Sequence, residues 1–132
     1  MIPQPVIPTE PMSKTRLRLW LKLLKTSRRI EAELRRRFRD DYATTLPRFD
    51  VMAALSRFPD GLKMSELSDL LRVSNGNVTG IVDRLTNDGH ALRVAVPGDR
   101  RAQLARLTPT GPPACTKLAQ AHAAWRDALI TR

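Results

Sequence analysis

One stretch constrains the fold more than any other. In "SNGNVTGIVDRLTNDG", residues 74–89, Val78, Ile81, Val82 and Leu85 fall at i, i+3, i+4 and i+7. That spacing predicts a helix over 75–88, with Ser74 as its N-cap and Gly89 as its stop. Just upstream, "MSELSDLL" (64–71) predicts a short helix that buries Leu67, Leu70 and Leu71, and "RVS" (72–74) breaks it. Met64 stands where a capping Ser or Thr is usual, and Ser65 is the expected substitute. Downstream, 91–96 and 102–108 read as strands around a Pro97-Gly98-Asp99-Arg100 tip.

Three more helices frame this unit. Residues 14–42 carry Leu19, Leu23, Ile30, Leu34 and Phe38 at helical spacing, widened by Leu17, Leu21 and Leu24. So long a stripe suits packing on the chain's own core, on a second copy, or on both. Residues 44–58 form another helix, with Pro47 tolerated in its first turn. A last helix lies near 112–130, where Leu118, Ala121, Trp125 and Leu129 share a face. A short helix, a tight break, a second helix and a hairpin make a winged helix-turn-helix. The fold class is therefore mainly α with a small β-hairpin wing, flanked by N- and C-terminal dimerisation helices. The expected segments are a proline-rich arm (1–13), a scaffold helix (14–42), a DNA-binding lobe (44–108) and a short dimerisation helix (109–132).

Charge points to a polyanionic partner. The net charge is +10, and its distribution is uneven. Residues 14–39 hold eleven Lys/Arg against two acids, whereas residues 50–89 hold four basic and six acidic residues. Nucleic acid and an anionic membrane surface both fit the total. No apolar run approaches the roughly 18–20 residues that span a bilayer. The N-terminus lacks a secretory layout and Cys115 is the lone cysteine, so the cytoplasm is the expected compartment. No metal-ligand cluster, phosphate-binding glycine loop or nucleophile motif is present, so no enzyme activity is expected.

"SELSDLLRVSNGNVTGIVDRLTNDG" followed by "DRRAQLARLTPTG" resembles the MarR family of bacterial transcription factors. The resemblance rests on Asp99-Arg100-Arg101 placed ten residues after Gly89, and on Leu107-Thr108-Pro109-Thr110-Gly111. It implies a homodimer on a pseudo-palindromic operator in double-stranded DNA. It also implies a repressor released by a small aromatic or phenolic anion. Family members usually continue with another dimer-forming helix, where this sequence ends at Arg132.

The site residues follow. A helical wheel turns Gly76, Gly80, Asp83, Arg84 and Asn87 away from the apolar stripe, with Asn77 and Thr79 flanking. Ser74, Asn75, Gly76, Asn77, Thr79, Gly80 and Arg84 are the candidate recognition-helix contacts. Ordinary capping and first-turn polarity are the alternative for the Asn and Thr residues. Gly76 and Gly80 each cost a helix about 1 kcal/mol relative to Ala, which close approach of DNA would justify. Arg84 is expected at a phosphate or bracing the wing. On the wing, Arg101 matches the family position that enters the minor groove, Arg100 meets a phosphate, and Asp99 orients an arginine. Arg93 and Arg106 are expected to add phosphate contacts. The arginines of 28–39 read as a solvated face attracting DNA at long range. Cys115 reads as a packing residue. Trp20 and Trp125 are candidates to line an effector crevice. The alternative to DNA reading is a winged-helix module that binds another protein.

Overall fold

A computed structural model describes Pro3 and residues 12–131. The expected arm at 1–13 therefore lies outside the described residues except for Pro3, Met12 and Ser13; the side chain of Arg100 lies outside them too. The elements are α1 (Met12–Tyr42), α2 (Leu46–Ser56), β1 (Leu62–Lys63), α3 (Met64–Leu71), α4 (Asn75–Asn87), β2 (Ala91–Val96), β3 (Asp99–Leu107) and α5 (Gly111–Ile130). The strands form an antiparallel sheet in the order β1-β3-β2.

The chain divides into two compact units, residues 1–33 and 34–132. In the first, Leu17, Leu19, Trp20, Leu21 and Leu23 of α1 are each more than half exposed. Helical periodicity sets Leu17, Trp20, Leu21 and Leu24 on one side and Leu19, Leu23 and Ile30 on another.

In the second unit, Phe38, Val51, Met52, Leu55, Leu67, Val78, Val82 and Leu85 are fully buried. The stripe of α4 thus packs against α2, α3 and β2. Helix α2 starts at Leu46, because the Thr45 hydroxyl accepts from the Arg48 N–H at 3.3 Å and Thr45 itself is extended. Neither Met64 nor Ser65 caps α3. Lys63 is the cap residue, and its N–H donates to Glu66 Oε1 at 2.9 Å. The carboxylate three residues on does the work, as in half of a capping box.

The break between α3 and α4 is held by Ser68, whose buried hydroxyl donates to the Val73 carbonyl. The Val73 N–H in turn donates to the Ser68 carbonyl at 3.2 Å. This forces Arg72 into the left-handed region at φ 54°. A non-glycine residue there carries a steric penalty that glycine escapes. Arg72→Gly is therefore expected to raise stability by about 0.5–1 kcal/mol, after its extra unfolded-state entropy is subtracted. Urea unfolding measures this; an unchanged or lower midpoint would contradict it.

Gly89 ends α4 at φ 81°, with the His90 N–H reaching the Leu85 carbonyl at 2.9 Å. Thr108 and Thr110 hydroxyls both donate to the Gly89 carbonyl, at 2.6 and 3.0 Å, tying the hairpin's far end to that stop. Gly111 then opens α5 where a Cβ would meet the His90 carbonyl at 2.7 Å, so only glycine lets α5 begin this close to β2.

Helix α5 lays His122 against Phe49 and Phe38, with ring centroids 5.2 and 6.0 Å away. Burial lowers the His122 pKa from the usual 6.5; Arg126 adds to this and Asp50 opposes it. A folded pKa below the unfolded one means the unfolded chain binds protons first. Stability is full above pH 6.5 and falls as pH drops through the folded value. His122→Phe keeps a ring in the stack and removes the proton site. Urea unfolding at pH 7 and pH 5 is expected to show a smaller drop for this variant than for the native chain.

Candidate nucleic-acid interface

Helix α4 presents its polar atoms outward by the same periodicity that buries its stripe. Asn75, Gly76, Asn77, Gly80, Asp83, Arg84 and Asn87 are exposed, and Thr79 is half-buried. The Ser74 hydroxyl accepts from the Asn77 N–H at 3.3 Å, so it caps the helix. A Cβ added at Gly76 or Gly80 would meet nothing within 4 Å. No packing inside the chain asks for glycine at either position. A smooth, polar helix N-terminus with unpaired backbone N–H groups suits an anionic surface.

Strand β2 spans the expected 91–96, whereas β3 begins three residues before the expected 102 and ends at Leu107. Residues Ala91 to Ala95 pair in register with Leu107 to Gln103, and the ladder then slips so that Val96 faces Asp99. The turn is Pro97-Gly98 alone, and Asp99 to Arg101 begin β3. Asp99 does brace an arginine, but through the main chain: its Oδ1 accepts from the Arg101 N–H at 3.0 Å. This leaves the exposed Arg101 guanidinium facing solvent. Arg106 is exposed further along β3.

Three expectations are corrected by geometry. Arg93 does not face outward. Its Nη2 lies 2.5 Å from Asp83 Oδ1 and donates to the Thr79 carbonyl at 3.4 Å, while Nη1 donates to Gln103 Oε1 at 3.3 Å. Its Nε is buried with no hydrogen-bond partner among the described residues. The tie between wing and helix is therefore Asp83–Arg93 rather than anything made by Arg84. Arg84 instead lines a cavity of about 630 Å³ beside α4, together with Arg35, Arg39 and Arg48. Gly76, Asn77, Gly80 and Ile81, on α4 like Arg84, line the same cavity. Trp125 does not line it. It packs edge-on to Phe38 at 5.3 Å and beside Tyr42 at 5.8 Å. Cys115 is buried, and burial raises its pKa against a weaker opposing hydrogen bond with Ser56. Such a thiol is unreactive.

Among the described residues no group of His, Cys, Asp and Glu is arranged to hold a metal, and no helix is long and apolar enough to cross a membrane. The helix pair, its pinned turn and the basic wing define a winged-helix transcriptional regulator. A family model described as the MarR family matches residues 44–102. A MarR family transcriptional regulator from Silicibacter pomeroyi is 33% identical and superposes with a TM-score of 0.75, over 93% of this chain and 84% of its own. The chain belongs to the MarR family, whose members are DNA-binding transcriptional regulators. That membership favours DNA reading over the protein-binding module. The transcriptional activatory protein BadR of Rhodopseudomonas palustris is 36% identical over 69 residues, which is 51% of this chain but only 39% of BadR. Sco3205 of Streptomyces coelicolor, solved in complex with DNA, is 21% identical with a TM-score of 0.82 over 95% of this chain and 78% of its own, a likeness of fold.

Proposed function

We propose that this chain binds a pseudo-palindromic operator as a homodimer and represses transcription in the cytoplasm until a small anion releases it. In this reading α4 enters the major groove of each half-site. Ser74, Asn75, Asn77 and Thr79 meet base edges and phosphates, Gly76 and Gly80 let the backbone close on the duplex, and Arg101 enters the adjacent minor groove. Arg100 meets a phosphate beside it. The observation that carries the reading is the pairing, in one lobe, of a glycine-smoothed polar helix with an Asp99-braced wing arginine. Affinity comes from a net charge of +10, so log affinity should fall steeply with log salt.

The dimer is supported by α1, whose exposed Leu17, Trp20 and Leu21 make an apolar surface that a monomer rarely leaves bare. The effector is supported by the cavity beside α4. Four arginines and the apolar Pro47, Val73 and Ile81 suit an aromatic or phenolic anion. Because Asn77 and Gly80 belong both to that lining and to the DNA-facing surface, ligand and DNA are thermodynamically linked. BadR is named an activator, so the sign of regulation here is tested directly with a reporter.

The experiment is selection of bound sequences from random duplex DNA, followed by sedimentation of the complex. Enrichment of an inverted repeat, with half-site centres about one helical turn apart and two chains bound, is the expected result. Enrichment of no motif would remove the reading. Titration with a panel of aromatic carboxylates should weaken operator binding if the cavity takes the effector.

A further inference from the structure

We infer that Asp83 and Arg93 form a clasp that fixes the wing against the recognition helix, making Arg93 a positioning residue for Arg101. This rests on the DNA reading above and adds a mechanism to it.

The puzzle is Asp83. It lies on the exposed side of α4, in a stretch that is already net acidic, where a carboxylate repels phosphate. Its partner explains it. Arg93 sits on β2 and reaches across to α4, where Asp83 and the Thr79 carbonyl lie one helical turn apart. The other arm of the same guanidinium binds Gln103 on β3. One planar fork therefore joins the recognition helix to both strands of the wing. The Arg93 side chain is 28% exposed and that of Asp83 56%, so solvent screens the pair from the carboxylate side while the guanidinium is sheltered.

The clasp also has an address. Gln103 lies two residues from Arg101 on β3, and Asp99 binds the Arg101 N–H from the other side. The Arg101 main chain is thus held at Asp99 on one flank, and on the other the Gln103 side chain is joined through Arg93 to α4. A wing held in this way offers Arg101 to the minor groove at a fixed offset from the bases that α4 reads. If the clasp opens, Arg101 must be ordered on binding, and affinity falls. Both Nη groups of Arg93 are engaged inside the lobe, which removes it from the set of phosphate contacts.

The test uses the full chain and the operator selected as above. Asp83→Asn removes a negative charge near DNA, so charge alone predicts tighter binding. The clasp predicts the opposite sign, about tenfold weaker binding, with the variant still folded by circular dichroism. Arg101→Ala should then cost much less in the Asp83→Asn background than in the native one, a coupling that a double-mutant cycle reads. Arg93→Lys keeps the charge but loses the fork, and should weaken binding with an unchanged salt slope. A phosphate contact would instead tolerate Lys, and Arg93→Met would lower the slope by about one. Equal or tighter binding by Asp83→Asn, or additive losses in the cycle, would overturn the clasp. A native chain that enriches no motif would overturn the DNA reading itself, which is a separate outcome.

Discussion

Arg101→Ala is expected to weaken operator binding by about 10- to 100-fold, the usual worth of a specific groove contact. The loss should be concentrated at one place in the site. An arginine in the minor groove responds to the negative potential of a narrow A·T tract. Native chain should therefore prefer A·T over G·C at the flank of each half-site, and the variant should lose that preference. The salt slope should fall by about one as a cation leaves the interface. The effect is this large because the backbone beneath Arg101 is prepared: Asp99 holds its N–H at 3.0 Å, so little order has to be created on binding. The side chain is exposed, so folding should be almost unaffected. Fluorescence anisotropy with matched A·T and G·C flanks measures both effects. A loss under threefold, or an unchanged flank preference, would take Arg101 out of the minor groove.

The elements most legible in the sequence are those with a period and a stop. Met64–Leu71 matches the expected helix end for end, and α4 falls one residue short of expectation; α4 has four apolar residues at helical spacing between a capping Ser74 and Gly89, whereas the limits of α3 are set by Lys63 and the left-handed Arg72. Strand β1 was not legible. Two residues have no period, and Leu62–Lys63 is a strand only because Ala105 and Leu104 lie opposite. The wing tip was half legible. Pro97-Gly98 marks the turn, but whether Asp99 and Arg100 belong to turn or strand depends on the slip that sets Val96 against Asp99. The Arg93 role was illegible for a different reason. A basic residue on a strand reads alike whether it faces phosphate or carboxylate. The choice is made by the distance from Asp83, ten residues away in sequence and on another element. The acid in "IVDRL" was the available signal: a carboxylate on a helix meant for DNA needs a cation of its own.

Gly80→Ala should move stability and DNA affinity in opposite directions. Gly80 lies in the middle of α4, and a Cβ there meets nothing within 4 Å. Alanine fits the helix without strain and reduces the entropy of the unfolded chain, so unfolding should become harder by about 1 kcal/mol. The same methyl group projects from the exposed side of α4, between Asn77 and Arg84 on the next turns. If that side lies against the duplex, the methyl holds the helix off the sugar-phosphate chain, and contacts at Asn77 and Thr79 lengthen together. Affinity should then fall by about tenfold or more, since several contacts depend on one approach distance. Thermal melting and operator titration on the same preparation read the two signs. Higher stability with unchanged affinity would mean that Gly80 is a tolerated surface glycine and that α4 meets DNA by another side. Lower stability would contradict the open space around its Cα. A melting temperature that rises while binding falls is the outcome that the open space within the chain and a duplex outside it jointly require.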